Sequence, residues 1–138
     1  MVDFRLVVGD PKSKMTFQKV LAPEDAKKLF NLKIGATFRG ESIGLTGYEF
    51  LITGATDKDG FPARQDLEGT GRRKLLLSAG PGYHPKNRGE RKTKMIRGKL
   101  LGPDIAQLNV KVVKHGKTDL TEFFGKKKAE EEAPAEEK

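Results

Sequence analysis

The sequence predicts a small, mainly β, barrel-like domain with one short helix, a long basic loop and a disordered acidic C-terminal tail. Three observations carry that expectation. Short segments rich in β-branched and aromatic residues recur along the chain. Sixteen glycines and seven prolines punctuate its 138 residues, a density that goes with many short strands and tight turns. Only one segment reads as a helix. The length suits one domain with a single core, predicted over residues 1–125, with residues 126–138 as the charged tail.

Phe4-Arg5-Leu6-Val7-Val8 reads as a strand, Gly9-Asp10-Pro11 as a turn, and Met15 to Leu21 as a returning strand, which makes a hairpin. Pro23 to Phe30 reads as a short helix: proline suits the first turn, Glu24 and Asp25 sit near its positive end, and Lys27 and Lys28 follow. From Ile34 to Gly47 recurring glycines imply tight turns and short strands. Tyr48 to Ile52 is a strand that gives way to a turn at Asp59-Gly60. Lys74 to Ser78 is apolar enough for a buried strand, Gly80 to Gly89 reads as an extended loop, and Met95 to Leu101 as a further strand. Ile105 to Val113 alternates best, with Leu108, Val110 and Val112 on one face and Gln107, Asn109 and Lys111 on the other. From Lys126 the chain is low-complexity and charged, which predicts disorder.

Charge is the strongest functional signal. The net charge is +8, yet residues 1–71 hold ten basic and ten acidic residues and are neutral. Residues 72–99 hold ten basic residues against Glu90 alone, so 28 residues carry +9. Such a window repels itself unless something anionic neutralises it, which points to a polyanion as partner. Arg72, Arg73, Lys74, Lys86, Arg88, Arg91, Lys92, Lys94 and Arg97 are the candidates for phosphate contact, arginine because it forks onto phosphate with two parallel hydrogen bonds. Tyr83 and His84 offer flat faces on which an unstacked RNA base could lie.

Other chemistries find little support. Cysteine is absent and there are only two histidines, His84 and His115, too few good ligands for a structural zinc site. Asp57-Lys58-Asp59-Gly60 starts like a calcium loop but lacks the third acidic ligand and the closing Glu, so it reads as a plain turn. Gly69-Thr70-Gly71 and Gly80-Pro81-Gly82 do not continue into the Gly-Lys-Ser/Thr start of a phosphate-binding helix. Nothing in the spacing brings His84 to Asp66 or Glu90 as an acid–base pair. The expectation is a protein that is not an enzyme, with no cofactor, no metal and no small-molecule substrate. The N-terminus lacks the pattern of a signal peptide and no apolar run is long enough to span a bilayer, which predicts a cytoplasmic protein with no membrane partner.

Three stretches, ITGATDKDGFPARQD at 52–66, GRRKLLLSAGPGYHPKNRGERKTKMIRG at 71–98 and then IAQLNVKVVKHG, resemble the small-subunit ribosomal protein six family of archaea and eukaryotes. That family is unrelated to the bacterial protein of the same number. The resemblance runs from the opening strand to about Asp119 and rests on Asp57, Gly60, Phe61 and Pro62, then Gly89, Glu90 and Arg91. Two positions depart from its usual pattern: Ala55 stands where a second glycine is usual and Ala63 where a methionine is. Eukaryotic members continue into a long basic helix with regulatory serines; here the tail is acidic and no Ser or Thr follows Thr121, as in the short archaeal form. The resemblance implies a structural constituent of the small ribosomal subunit, with ribosomal RNA and neighbouring ribosomal proteins as partners. The alternative that the residues leave open is a general nucleic-acid-binding β-barrel acting off the ribosome.

Overall fold

The computed structural model describes residues 3–123, so the acidic tail lies outside the described residues. Seven strands are defined among them: β1 (Phe4–Asp10), β2 (Met15–Leu21), β3 (Thr37–Arg39), β4 (Glu49–Asp57), β5 (Arg72–Leu77), β6 (Lys92–Arg97) and β7 (Ile105–Lys114). The helix α1 covers Pro23–Leu29, and a 3-10 turn covers Gly40–Ile43.

Alternation in β1 puts Phe4, Leu6 and Val8 on one face, and all three are buried. In β7 the same happens to Leu108, Val110 and Val112, as the sequence predicts. These two strands pair in parallel at the centre of a five-stranded sheet ordered β2-β1-β7-β4-β3, whose other pairings are antiparallel. Phe38, Phe50 and Ile52 extend the inner face. Ala26 and Leu29, three residues apart on α1, close over this core together with Ile34, Leu45 and Leu101.

The mainly β fold with its short helix follows the expectation, but the sheet does not close into a barrel: β2 and β3 remain its edges. The predicted strand at Lys74 to Ser78 forms as β5, though not as a buried one. Among the described residues it pairs only with β6, in a separate two-stranded ribbon, and beyond Arg72 the outward face of β5 is uncovered, so Leu76 is left 64% exposed.

The predicted first hairpin forms, but Gly9 and Asp10, expected in its turn, pair with Thr16 and Met15 as the end of β1, and the turn covers residues 11–14. Asp10 accepts hydrogen bonds from the Lys12 backbone N–H (3.0 Å) and the Ser13 hydroxyl (2.8 Å). Its other tie is to His115 Nε2 at 2.8 Å, just beyond β7. Burial alone would raise the Asp10 pKa, but hydrogen bonds from His115, Ser13 and Lys12 outweigh it and bring it down to about 2. A carboxylate depressed on folding stabilises the fold above its unfolded pKa and loses that contribution as pH falls through the folded one. Asp10→Asn should therefore cost about 1–2 kcal/mol at neutral pH. In urea melts the variant and the parent should converge as pH falls from about 4 to about 2.

Candidate nucleic-acid interface

The basic segment is a two-stranded ribbon with a loop between its strands. Leu75 and Leu77 on β5 and Ile96 on β6 share one ribbon face with Arg73, Lys92 and Lys94, set by the pairings Arg73↔Ile96, Leu75↔Lys94 and Leu77↔Lys92. Leu77 and Ile96 are buried there with Leu67 and Tyr83 in a small second core, with Leu75 against it. That apolar packing holds the two strands together on either side of a loop over residues 78–91, two residues longer at each end than the expected Gly80 to Gly89. The other ribbon face carries Lys74, Leu76, Thr93 and Met95, the first three exposed.

Backbone hydrogen bonds root the ribbon on the preceding loop: Arg97 N–H to the Pro62 carbonyl (3.0 Å), Arg64 N–H to the Arg97 carbonyl (3.0 Å), and Lys99 N–H to the Leu67 carbonyl (2.8 Å). The loop 78–91 folds back on the ribbon at Tyr83, whose N–H donates to the Gly80 carbonyl at 3.2 Å. Gly82 permits this. Its φ is +90°, and a Cβ there would meet Ile96 Cδ1 and Pro62 Cγ at 2.9 Å, so only glycine fits.

The predicted site residues divide into two groups. Arg73, Lys74, His84, Lys86, Arg88, Arg91 and Lys92 are exposed and Lys94 is half-buried. None of the seven cations in this group forms an ion pair among the described residues. Arg72, Arg97 and Tyr83 are placed differently. Tyr83 is 8% exposed, with its ring in the small core and its hydroxyl buried without a hydrogen-bond partner. Arg97 is 4% exposed. Arg72 lies over the Phe61 ring, 5.1 Å from its centroid, and pairs with Asp59 and Asp57.

The organising residue of this second group is Asp57, at the end of β4, whose side chain is fully buried. Arg72 and Arg97 stand directly opposite each other across the ribbon, a like-charge pairing that would repel on its own. Asp57 Oδ2 lies between them, 2.6 Å from Arg72 Nε and 2.9 Å from Arg97 Nη1, and its Oδ1 accepts from the Lys58 N–H at 2.7 Å. Burial works to raise the Asp57 pKa, and the hydrogen bonds from Arg72, Lys58 and Arg97 more than reverse it, so the carboxyl sits below its ordinary value. Asp104 adds a looser contact to Arg97 at 3.8 Å. The sequence reading treats Asp57 as a turn residue only. What it does is hold the root of the ribbon to the main sheet.

Among the described residues no group of acidic, histidine or cysteine side chains is arranged to hold a metal ion, and no helix is long and apolar enough to cross a membrane. A family profile described as Ribosomal protein S6e matches residues 4–125 of the chain. The chain is 48% identical over 127 residues to the small ribosomal subunit protein eS6 of Archaeoglobus fulgidus, covering 91% of this chain and 98% of the relative. The protein of the same name from Methanocaldococcus jannaschii is 45% identical over 121 residues, covering 88% and 90%. That of Methanospirillum hungatei is 40% identical over 137 residues, covering 99% and 100%.

Proposed function

This chain belongs to the ribosomal protein S6e family, and from that premise we propose that it binds small-subunit ribosomal RNA through the β5–β6 ribbon and its loop. It is a structural constituent of the small subunit of cytoplasmic ribosomes and not an enzyme. The observation that carries the RNA-binding reading is the set of cations on one ribbon and its loop that form no ion pair among the described residues: Arg73, Lys74, Lys86, Arg88, Arg91, Lys92 and Lys94. No carboxylate among the described residues pairs with these charges, and phosphate neutralises them with release of counterions. Contacts of this kind fix position and read the shape of an RNA more than its sequence. In this reading Arg72 and Arg97 hold the ribbon in place, Tyr83 pins the loop, and His84 is the ring left free to meet a base.

A sucrose gradient of a native lysate tests the reading. The protein should travel with the small subunit at moderate salt and leave it progressively as salt rises, each phosphate contact adding roughly 0.7–0.9 to the log–log salt slope. Sedimentation at the top of the gradient at every salt concentration would overturn it in favour of a nucleic-acid binder acting off the ribosome.

A further inference from the structure

Among the described residues no element packs on the outer face of the five-stranded sheet and buries it, and the composition of that face is specific. Across β2, β1, β7 and β4 the register gives the rows Val20–Arg5–Gln107–Thr56, Gln18–Val7–Asn109–Gly54 and Thr16–Gly9–Lys111–Leu51. These rows contain two cations, several amides and hydroxyls, and no carboxylate. At Gly9 the face dips into an open cleft of about 330 Å³ bordered by Asp10, Pro11, Lys14, Met15, Thr16 and Lys111.

Two residues at this cleft are not what the fold alone would select. Gly9 does not have a positive φ, and a Cβ there would meet nothing closer than the Val110 carbonyl oxygen at 3.8 Å, so neither backbone nor packing demands glycine. A glycine inside a strand weakens it, and such a glycine often marks a bulge, a tight bend or the close approach of a ligand or another backbone; β1 has no register shift at Gly9, which leaves close approach. Lys14 is the converse: its φ of 57° is a left-handed conformation that suits glycine or asparagine, yet the position holds a lysine. Neither Lys14 nor Lys111 forms an ion pair among the described residues. Asp10 is the one carboxylate residue lining the cleft, but it belongs to the buried parity of β1, and its oxygens are already held by His115, Ser13 and the Lys12 N–H.

We propose that the Gly9 cleft is a second RNA contact, in which Lys14 and Lys111 hold a backbone phosphate that reaches the sheet because Gly9 has no side chain. The Thr16 hydroxyl on the cleft wall is a further donor to it. The inference rests on the RNA-binding reading above and adds a site to it. Lys111 lies six residues along β7 from Ile105, which pairs with Asp57 at the ribbon root, so the two contacts are separated by roughly 20 Å. A single RNA-binding patch would leave the domain free to pivot, and two at this separation fix its orientation.

The test uses the full chain and a small-subunit ribosomal RNA transcript in filter binding across a salt series. Gly9→Val fills the cleft without changing charge, and Lys14→Gly with Lys111→Gln removes its cations without touching the core. Each should bind about tenfold more weakly, with the salt slope reduced by roughly 0.7–0.9, while the exposed control Lys27→Gln and the thermal midpoints stay near the parent. If both cleft variants bind like Lys27→Gln while the parent binds well, the cleft proposal falls and the ribbon reading stands. If the parent itself fails to bind, the ribbon reading falls and takes the cleft with it.

Discussion

Asp57→Ala should destabilise the protein by on the order of 3–5 kcal/mol, the range for removing one partner of a buried ion pair. The figure is large because of what remains. Arg97 is 4% exposed, its Nε is already buried without a hydrogen-bond partner, and the substitution would remove the close carboxylate at Nη1. Asp104, 3.8 Å away and half-exposed, can swing toward Arg97 and recover part of the loss, which favours the lower end of the range. A drop of roughly 10 °C or more in the thermal midpoint is the expected reading. Asp57→Ala combined with Arg97→Met should recover much of it, because an apolar side chain carries no unpaired charge into the interior. The pH dependence has a definite sign. The Asp57 carboxyl is held below its ordinary value, so its contribution is complete above the usual carboxylate range and fades as pH falls below it. If Asp57→Ala melted within a degree of the parent, Asp57 would not be the residue that fastens the ribbon.

That role was out of reach of the sequence for a simple reason: Arg72 and Arg97 lie 15 and 40 residues away from Asp57. One local signal was present. Asp57 occupies the same buried parity of β4 as Ala55, and a carboxylate on an apolar strand face requires a cation. Elements whose cause is local were legible, among them β2, α1 and the alternating β7, because neighbouring residues alone determine which face turns inward. The parallel contact of β1 with β7 spans about a hundred residues and leaves no local trace. The basic segment was legible as a charge and, approximately, as two strands, but not as a ribbon standing apart from the main sheet. Its leucines Leu75, Leu76 and Leu77 pair with Lys94, Thr93 and Lys92 across a ribbon, and Tyr83, which reads as a ring offered to RNA, is drawn into the small core that Leu77 and Ile96 form beneath it. Exposure of a candidate residue is a tertiary property, and for Arg97 and Tyr83 it could be decided only after folding.

Neutralising the ribbon should have the largest effect on binding. A variant carrying Arg73→Gln, Lys74→Gln, Lys86→Gln, Arg88→Gln, Arg91→Gln and Lys92→Gln removes six exposed cations that form no ion pair among the described residues. If each meets one phosphate, the salt slope should fall by about 4–5 and affinity at low salt by about a thousandfold or more. Stability should stay close to that of the parent, since exposed substitutions are usually worth less than about 0.5 kcal/mol each and here they also relieve repulsion. The contrast with Asp57→Ala is what separates charge from placement. The neutralised protein keeps its melting temperature and loses RNA, whereas Asp57→Ala keeps every ribbon cation and loses the support beneath them. A second comparison separates charge from fit. Arg73→Lys, Arg88→Lys and Arg91→Lys together leave the number of charges unchanged, so the slope should hold, but they remove the planar fork that meets two phosphate oxygens at once. Weaker binding at an unchanged slope would mean that the ribbon grips particular phosphates. Unchanged affinity and slope would mean that it supplies a positive field and nothing more, and RNA shape would have to be read elsewhere on the domain.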